Sequence, residues 1–221
     1  MNCGIYTGLE KEVFSMASFD FIQRAYIAFF NRPADRAGYD YWWSYSGSDQ
    51  DLLDQFSQSA EYLSDFAGKS HRQTIGIIYQ NLFGRPPEKT GWDYWTSQMD
   101  AGWVTVGNAA HEILGGAQGT DATTIKNKVA IAQSFTDALD TTPEIDAYAK
   151  AGANGAGHVT KDWLATVNSS GASHASALNQ LDDVLDMLLD ANHYILPPPK
   201  TPLREVTKVL SKSLFTILVL S

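Results

Sequence analysis

An all-α fold is predicted by three features of this 221-residue sequence. A tandem repeat reads in each copy as helix, tight Arg-Pro turn and helix; apolar residues recur at intervals of three and four along most of the chain; and few stretches alternate as strands do. The repeat is FNRPADRAGYDYW at 30–42 and FGRPPEKTGWDYW at 83–95, offset by 53 positions, with Tyr26 over Tyr79 and Ile22 over Ile75 upstream. Between 26 and 42, eight of seventeen positions are identical, and Asp35 for Glu88, Arg36 for Lys89 and Tyr39 for Trp92 exchange like for like. Two helix-turn-helix repeats packed as a bundle, followed by a second group of helices, are the expected architecture.

In chain order, Ser18 is placed to cap a helix in which Phe19, Ile22, Tyr26, Phe29 and Phe30 share a face. Pro33 disfavours helical geometry in the residue before it, so the stripe stops at Asn31-Arg32. Asp35 then caps a second helix through Gly38, Tyr41 and Trp42; Glu88 holds the same place in the second copy, where an acid suits the positive end of the helix dipole. Shorter helices are expected over Asp49 to Phe66 and over Val104 to Leu114. Thr120 or Asp121 opens a long helix with Ile125, Val129, Ala132, Phe135 and Leu139 inward, and Thr142-Pro143-Glu144 starts another, proline being tolerated in a first turn. AGANGAGH at 151–158 reads as a loop. Helical spacing resumes over Val159 to Val167 and Ala172 to Asn192, with Leu178, Leu181, Leu185 and Leu188 inward and Asp182, Asp183, Asp186 and Asp190 mostly opposite. The chain thus divides into an extension (1–15), a repeat domain (16–118, copies about 19–66 and 72–117), a C-terminal helical region (119–193) and a Pro-rich basic tail (194–221).

Composition bounds the function. At 44% apolar and 12% aromatic content the chain can bury a real core. A net charge of −9 argues against nucleic acid, whose binding needs dense Lys and Arg. From Pro197 onward Lys200, Arg204, Lys208 and Lys212 face only Glu205; removing that +3 from −9 leaves −12 for residues 1–196. The tail fits an amphipathic anchor, an export signal or sequence foreign to the fold. One cysteine, Cys3, allows neither an internal disulfide nor a thiolate-rich metal site. No stretch reaches the ~20 apolar residues that span a bilayer, and the N-terminus lacks the basic and apolar regions of a secretory signal.

The repeated residues have an architectural reading. Pro33 and Pro86 fix the turns, Gly38 and Gly91 let helices approach, and Tyr41, Trp42, Tyr94 and Trp95 fill the space between them. Arg32 and Arg85 are expected to bond turn carbonyls or to reach Asp40 and Asp93. The aromatics nevertheless exceed what short helices hide: Trp42 and Trp43 are adjacent, about 100° apart on a helix, and cannot both face one narrow core. Tyr39, Trp43, Trp92 and Trp103 are therefore the candidates for a flat platform that stacks on sugar rings or docks a partner. No cofactor is expected. Calcium is left open, because Asp35 and Asp40 flank a turn whose carbonyls could contribute, although D-R-A-G-Y-D lacks the rhythm and closing Glu of a calcium loop. No catalytic residue is assigned. His111-Glu112 opens like a zinc-protease helix, yet Gly115 stands where the second His must be. Gly152, Gly155 and Gly157 follow no strand, and no nucleophile elbow or phosphate loop occurs.

YQNLFGRPPEKTGWDYWTSQMDAG at 79–102, and YIAFFNRPADRAGYDYWW with Asn31 in place of the usual Gly, resemble the repeat catalogued as domain of unknown function 4214. The stretch from Asn127 to Val167 is similar to the segment that follows such repeats in bacterial surface-layer and type I secreted proteins. The resemblance implies a non-enzymatic, all-helical module of an extracellular or cell-surface protein, exported without a signal peptide. Its implied partners are surface polysaccharide or other copies of itself. An intracellular adaptor for a protein partner is the alternative. The G-G-x-G-x-D calcium repeats that accompany such modules do not follow here.

Overall fold

Short polar side chains set most of the helix starts. The computed structural model describes residues 18–150 and 157–192, which form twelve helices and no strand. The first copy holds α1 (Phe19–Phe30), α2 (Arg36–Trp43), α3 (Asp49–Phe56) and α4 (Ala60–Asp65). The second holds α5 (His71–Phe83), α6 (Lys89–Asp100), α7 (Val106–Gly115) and α8 (Gly119–Ala138). Then come α9 (Thr142–Lys150), α10 (Gly157–Ala165), α11 (Gly171–Asn179) and α12 (Leu181–Asn192). Ser18, Asp35, Ser59 and Ser170 accept first-turn N–H bonds, and Ser48, Ser70 and Thr105 do so in capping boxes closed by Asp51, Gln73 and Asn108.

The all-α expectation holds, with differences at the boundaries. Val104 lies outside α7, because Thr105 takes the cap. Neither Thr120 nor Asp121 caps α8, which starts earlier, after Gln118, without a side-chain cap; Asp121 is used elsewhere. The helix expected over Ala172 to Asn192 is two, broken at Gln180, and Leu178 is exposed at the break while Leu185 and Leu188 are buried. Gly157 and His158 belong to α10 instead of a loop. Residues 1–15, 151–156 and 194–221 lie outside the described residues.

Equivalent helices of the two copies pack on one another, α1 on α5 and α3 on α7, and α8 lies against both α1 and α5. The C-terminal helices close over this assembly, α10 and α11 touching α8, and α12 joining α9, α10 and α11. Ile22, Ile27, Phe29, Leu52, Phe56, Ile75, Ile78, Leu82, Ile125 and Phe135 are among the fully buried side chains. Each contributes about 1.5–3 kcal/mol of apolar burial. Phe56 receives Trp42 at 4.8 Å, Tyr26 edge-on at 5.0 Å and Phe30 stacked at 5.5 Å, so one phenyl ring joins α1, α2 and α3. Lys128 of α8 is buried too, its amino group donating to the Asn81 carbonyl near the end of α5. Among the described residues no helix is long and apolar enough to cross a membrane.

Candidate functional site

Each Arg-Pro turn follows a helix that ends in the left-handed conformation, at Asn31 (φ 50) in the first copy and Gly84 (φ 70) in the second. Asn is one of few non-glycine residues that adopt it at low cost, and here its side-chain amide donates to the Lys161 carbonyl at 3.1 Å. Arg32 and Arg85 then fold back on their own turns, donating to the carbonyls of Pro33 (3.2 Å) and Pro86 (3.0 Å) as expected.

Their carboxylate partners were not foreseen. Arg32 grips Glu61 of α4 through two nitrogens (2.9 and 2.6 Å), and Arg85 grips Asp121 of α8 in the same two-pronged way (2.9 and 2.6 Å). The expected partners point to solvent: Asp40 pairs with Arg36 one helical turn earlier, and Asp93 with Lys89 and Arg72. Bonds from Lys89 and then Arg72 hold the Asp93 carboxyl below its usual range. Glu61 and Asp121 are both first-turn acids of the helix that ends a repeat, but they sit 29 and 36 residues beyond their arginines, so no constant offset reveals them.

The remaining repeated residues divide. Asp35 caps α2 through the Gly38 N–H at 2.7 Å, whereas Glu88 makes no cap bond and turns to Arg85 at 2.8 Å. A side chain at Gly38 would overlap the Tyr26 hydroxyl, but one at Gly91 would lie 3.7 Å from that of Tyr79, an ordinary contact. Trp42 and Trp95 pack against the core. Tyr41 and Tyr94 do not fill the space between helices: they are 63% and 55% exposed, each edge-on to the following tryptophan at 4.9 Å. Asp35 and Asp40 do not converge, and no three His, Cys, Asp or Glu side chains gather as a metal-binding group among the described residues.

The four platform candidates fall in two places along the chain, Tyr39 and Trp43 on α2 and Trp92 and Trp103 on and just after α6. Tyr39 is buried (9% exposed), overturning its place as a ligand contact, and it underlies Trp43, whose ring stacks on it at 5.9 Å and is 42% exposed. Trp103, just beyond α6, is 76% exposed. Trp92 stands near the other end of that helix, roughly 15 Å away at 1.5 Å per residue. Its indole N–H donates to the Arg72 carbonyl (2.9 Å) and the Arg72 guanidinium lies 4.4 Å from its ring centre. Trp92 also walls an open groove of about 380 Å³ with Gly76, Ile77, Gln80 and Pro86, completed by Lys69 and Gln73. A glycine inside α5, where a side chain would meet the Trp92 ring at 3.1 Å, is the one sequence signal that marked it.

The fold and the duplicated turns define a tandem-repeat, all-helical protein whose Arg-Pro corners are clamped by carboxylates. The family model described as Domain of unknown function (DUF4214) matches residues 11–66 and again 53–116, so the chain carries that family's domain over this stretch. No curated protein and no solved structure matches it.

Proposed function

We propose that this chain is a non-enzymatic attachment module of a secreted or cell-surface bacterial protein, and that it holds envelope glycan. The observation that supports this reading is the set of large aromatic side chains left in water around a filled core: Trp103, Tyr41, Tyr94 and Trp43. Flat rings with polar neighbours stack on the apolar faces of sugar rings and lose little conformational freedom in doing so. Self-association through the same rings is the competing use.

The test is co-sedimentation of the full chain with purified envelope polysaccharide, beside sedimentation of the chain alone at rising concentration. Capture that falls several-fold when Trp43 and Trp103 are replaced by alanine supports glycan attachment. No capture by the wild-type chain ends that reading. Concentration-dependent association without polysaccharide favours the competing one. Surface placement is checked by fractionating the native cells, where the protein is expected outside the cytoplasm.

A further inference from the structure

The two repeats treat the same piece of surface in opposite ways. In the first, Gln23 accepts from the Ala34 N–H (2.9 Å) and donates to Thr136 of α8 (2.8 Å). Thr136 in turn donates its hydroxyl to the Ala34 carbonyl (2.7 Å), and Tyr148 of α9 donates its hydroxyl to the Pro33 carbonyl (2.7 Å). Ile27, Pro33 and Ala34 are buried beneath this cover. Fifty-three positions on, the partners change together: Gln23 becomes Gly76, Ala34 becomes Pro87, Ile27 becomes Gln80 and Tyr39 becomes Trp92. Proline has no N–H to offer and glycine no amide to receive it, so the loss of one matches the loss of the other. The result is the groove, with Gln80 and Pro86 exposed.

We propose that this groove of the second repeat binds a sugar ring of a polysaccharide, an inference that rests on the attachment reading and adds a site to its exposed rings. The chain's own cover in the first repeat shows what the turn accepts, namely hydroxyl groups donating to its carbonyls. In the second repeat the Pro86 carbonyl takes Arg85 at 3.0 Å and retains a second lone pair for a ligand hydroxyl. Trp92, Ile77 and Pro86 supply apolar surface, and Gln73, Gln80 and Lys69 supply donors and acceptors around it. No carboxylate lines the groove, so it does not suit a cation. Its volume falls at the small end of the roughly 300–1,000 Å³ typical of ligand sites, right for a short sugar segment. A second copy has no spare equivalent of the cover, since its Thr136 and Tyr148 are engaged on its own first repeat.

The experiment titrates the ¹⁵N-labelled full chain with chitotriose, maltotriose, mannotriose and a rhamnose trisaccharide, following the three indole N–H resonances of Trp43, Trp92 and Trp103. At least one trisaccharide is expected to move Trp92 saturably. Gly76→Gln, which restores the side chain of the first repeat, is expected to weaken that binding about ten-fold or more, and Gln80→Ile, an exposed change, about three-fold or more. The proposal is overturned if no trisaccharide moves Trp92, if only Trp43 or Trp103 responds, or if both variants bind within two-fold of wild type. Trp92 shifts that depend on protein concentration without sugar would assign the groove to a second copy and overturn it as well. Polysaccharide capture with Trp92 silent rejects the groove alone; failure of capture rejects the attachment reading itself.

Discussion

Arg32 and Arg85 are the same residue in two dielectric settings. Arg32 lies among Tyr26, Phe30 and Tyr148 at 5.0 to 5.6 Å and its side chain is less than half as exposed as that of Arg85. Removing one partner of a buried ion pair strands the other charge. Arg32→Met is therefore expected to cost about 3 kcal/mol in urea unfolding and Arg85→Met about 1 kcal/mol. Arg32→Lys should recover little, because a point charge cannot make the two-pronged bond. Lys128 works in the opposite direction. Burial lowers its amine from the usual 10.5 to about 8. Between those values the unfolded chain binds more protons, so this group's contribution to stability rises with pH across that window and is at its least favourable below it. Lys128→Met should stabilise the protein at pH 7 by about 2 kcal/mol, and thermal melts should show the gain shrinking towards pH 10.

At the scale of the element, the two copies supply their own control. Gly38→Ala forces a methyl group into the Tyr26 hydroxyl and should destabilise α2, whereas Gly91→Ala meets only ordinary contact in α6. There the gain in helix propensity, about 0.5–1 kcal/mol, should appear as a higher melting temperature. Asp35→Ala should cost about 1 kcal/mol through the lost cap, more than Glu88→Ala, which removes an exposed ion pair. The repeat, its turns and the Asp35 cap were legible because they depend on local chemistry: proline geometry, short polar caps and helical spacing. The clamps were not legible, since Glu61 and Asp121 meet their arginines through tertiary packing. Gln23 and Lys128 carried a faint signal, each a polar residue set within an apolar stripe. Tyr41, an aromatic at helical spacing, reads as core and is exposed, whereas Tyr39, in a crowded aromatic helix, reads as exposed and is buried; backbone packing, which periodicity does not encode, decides both.

For the whole molecule, α8 is the element on which both repeats converge. It seals the first repeat through Thr136, supplies the clamp of the second through Asp121, and lodges Lys128 against the end of α5. Repeats coupled in this way should not melt separately: calorimetry is expected to give one transition with equal calorimetric and van't Hoff enthalpies, and two resolved transitions would contradict the shared role of α8.

The family match stops at residue 116, five positions short of Asp121. A polypeptide trimmed to that boundary would keep Arg85 and lose the acid that holds it, and the corner of the first repeat would stand uncovered at Ala34. The unit whose corners are closed by its own side chains is thus longer than the pattern by which such proteins are grouped.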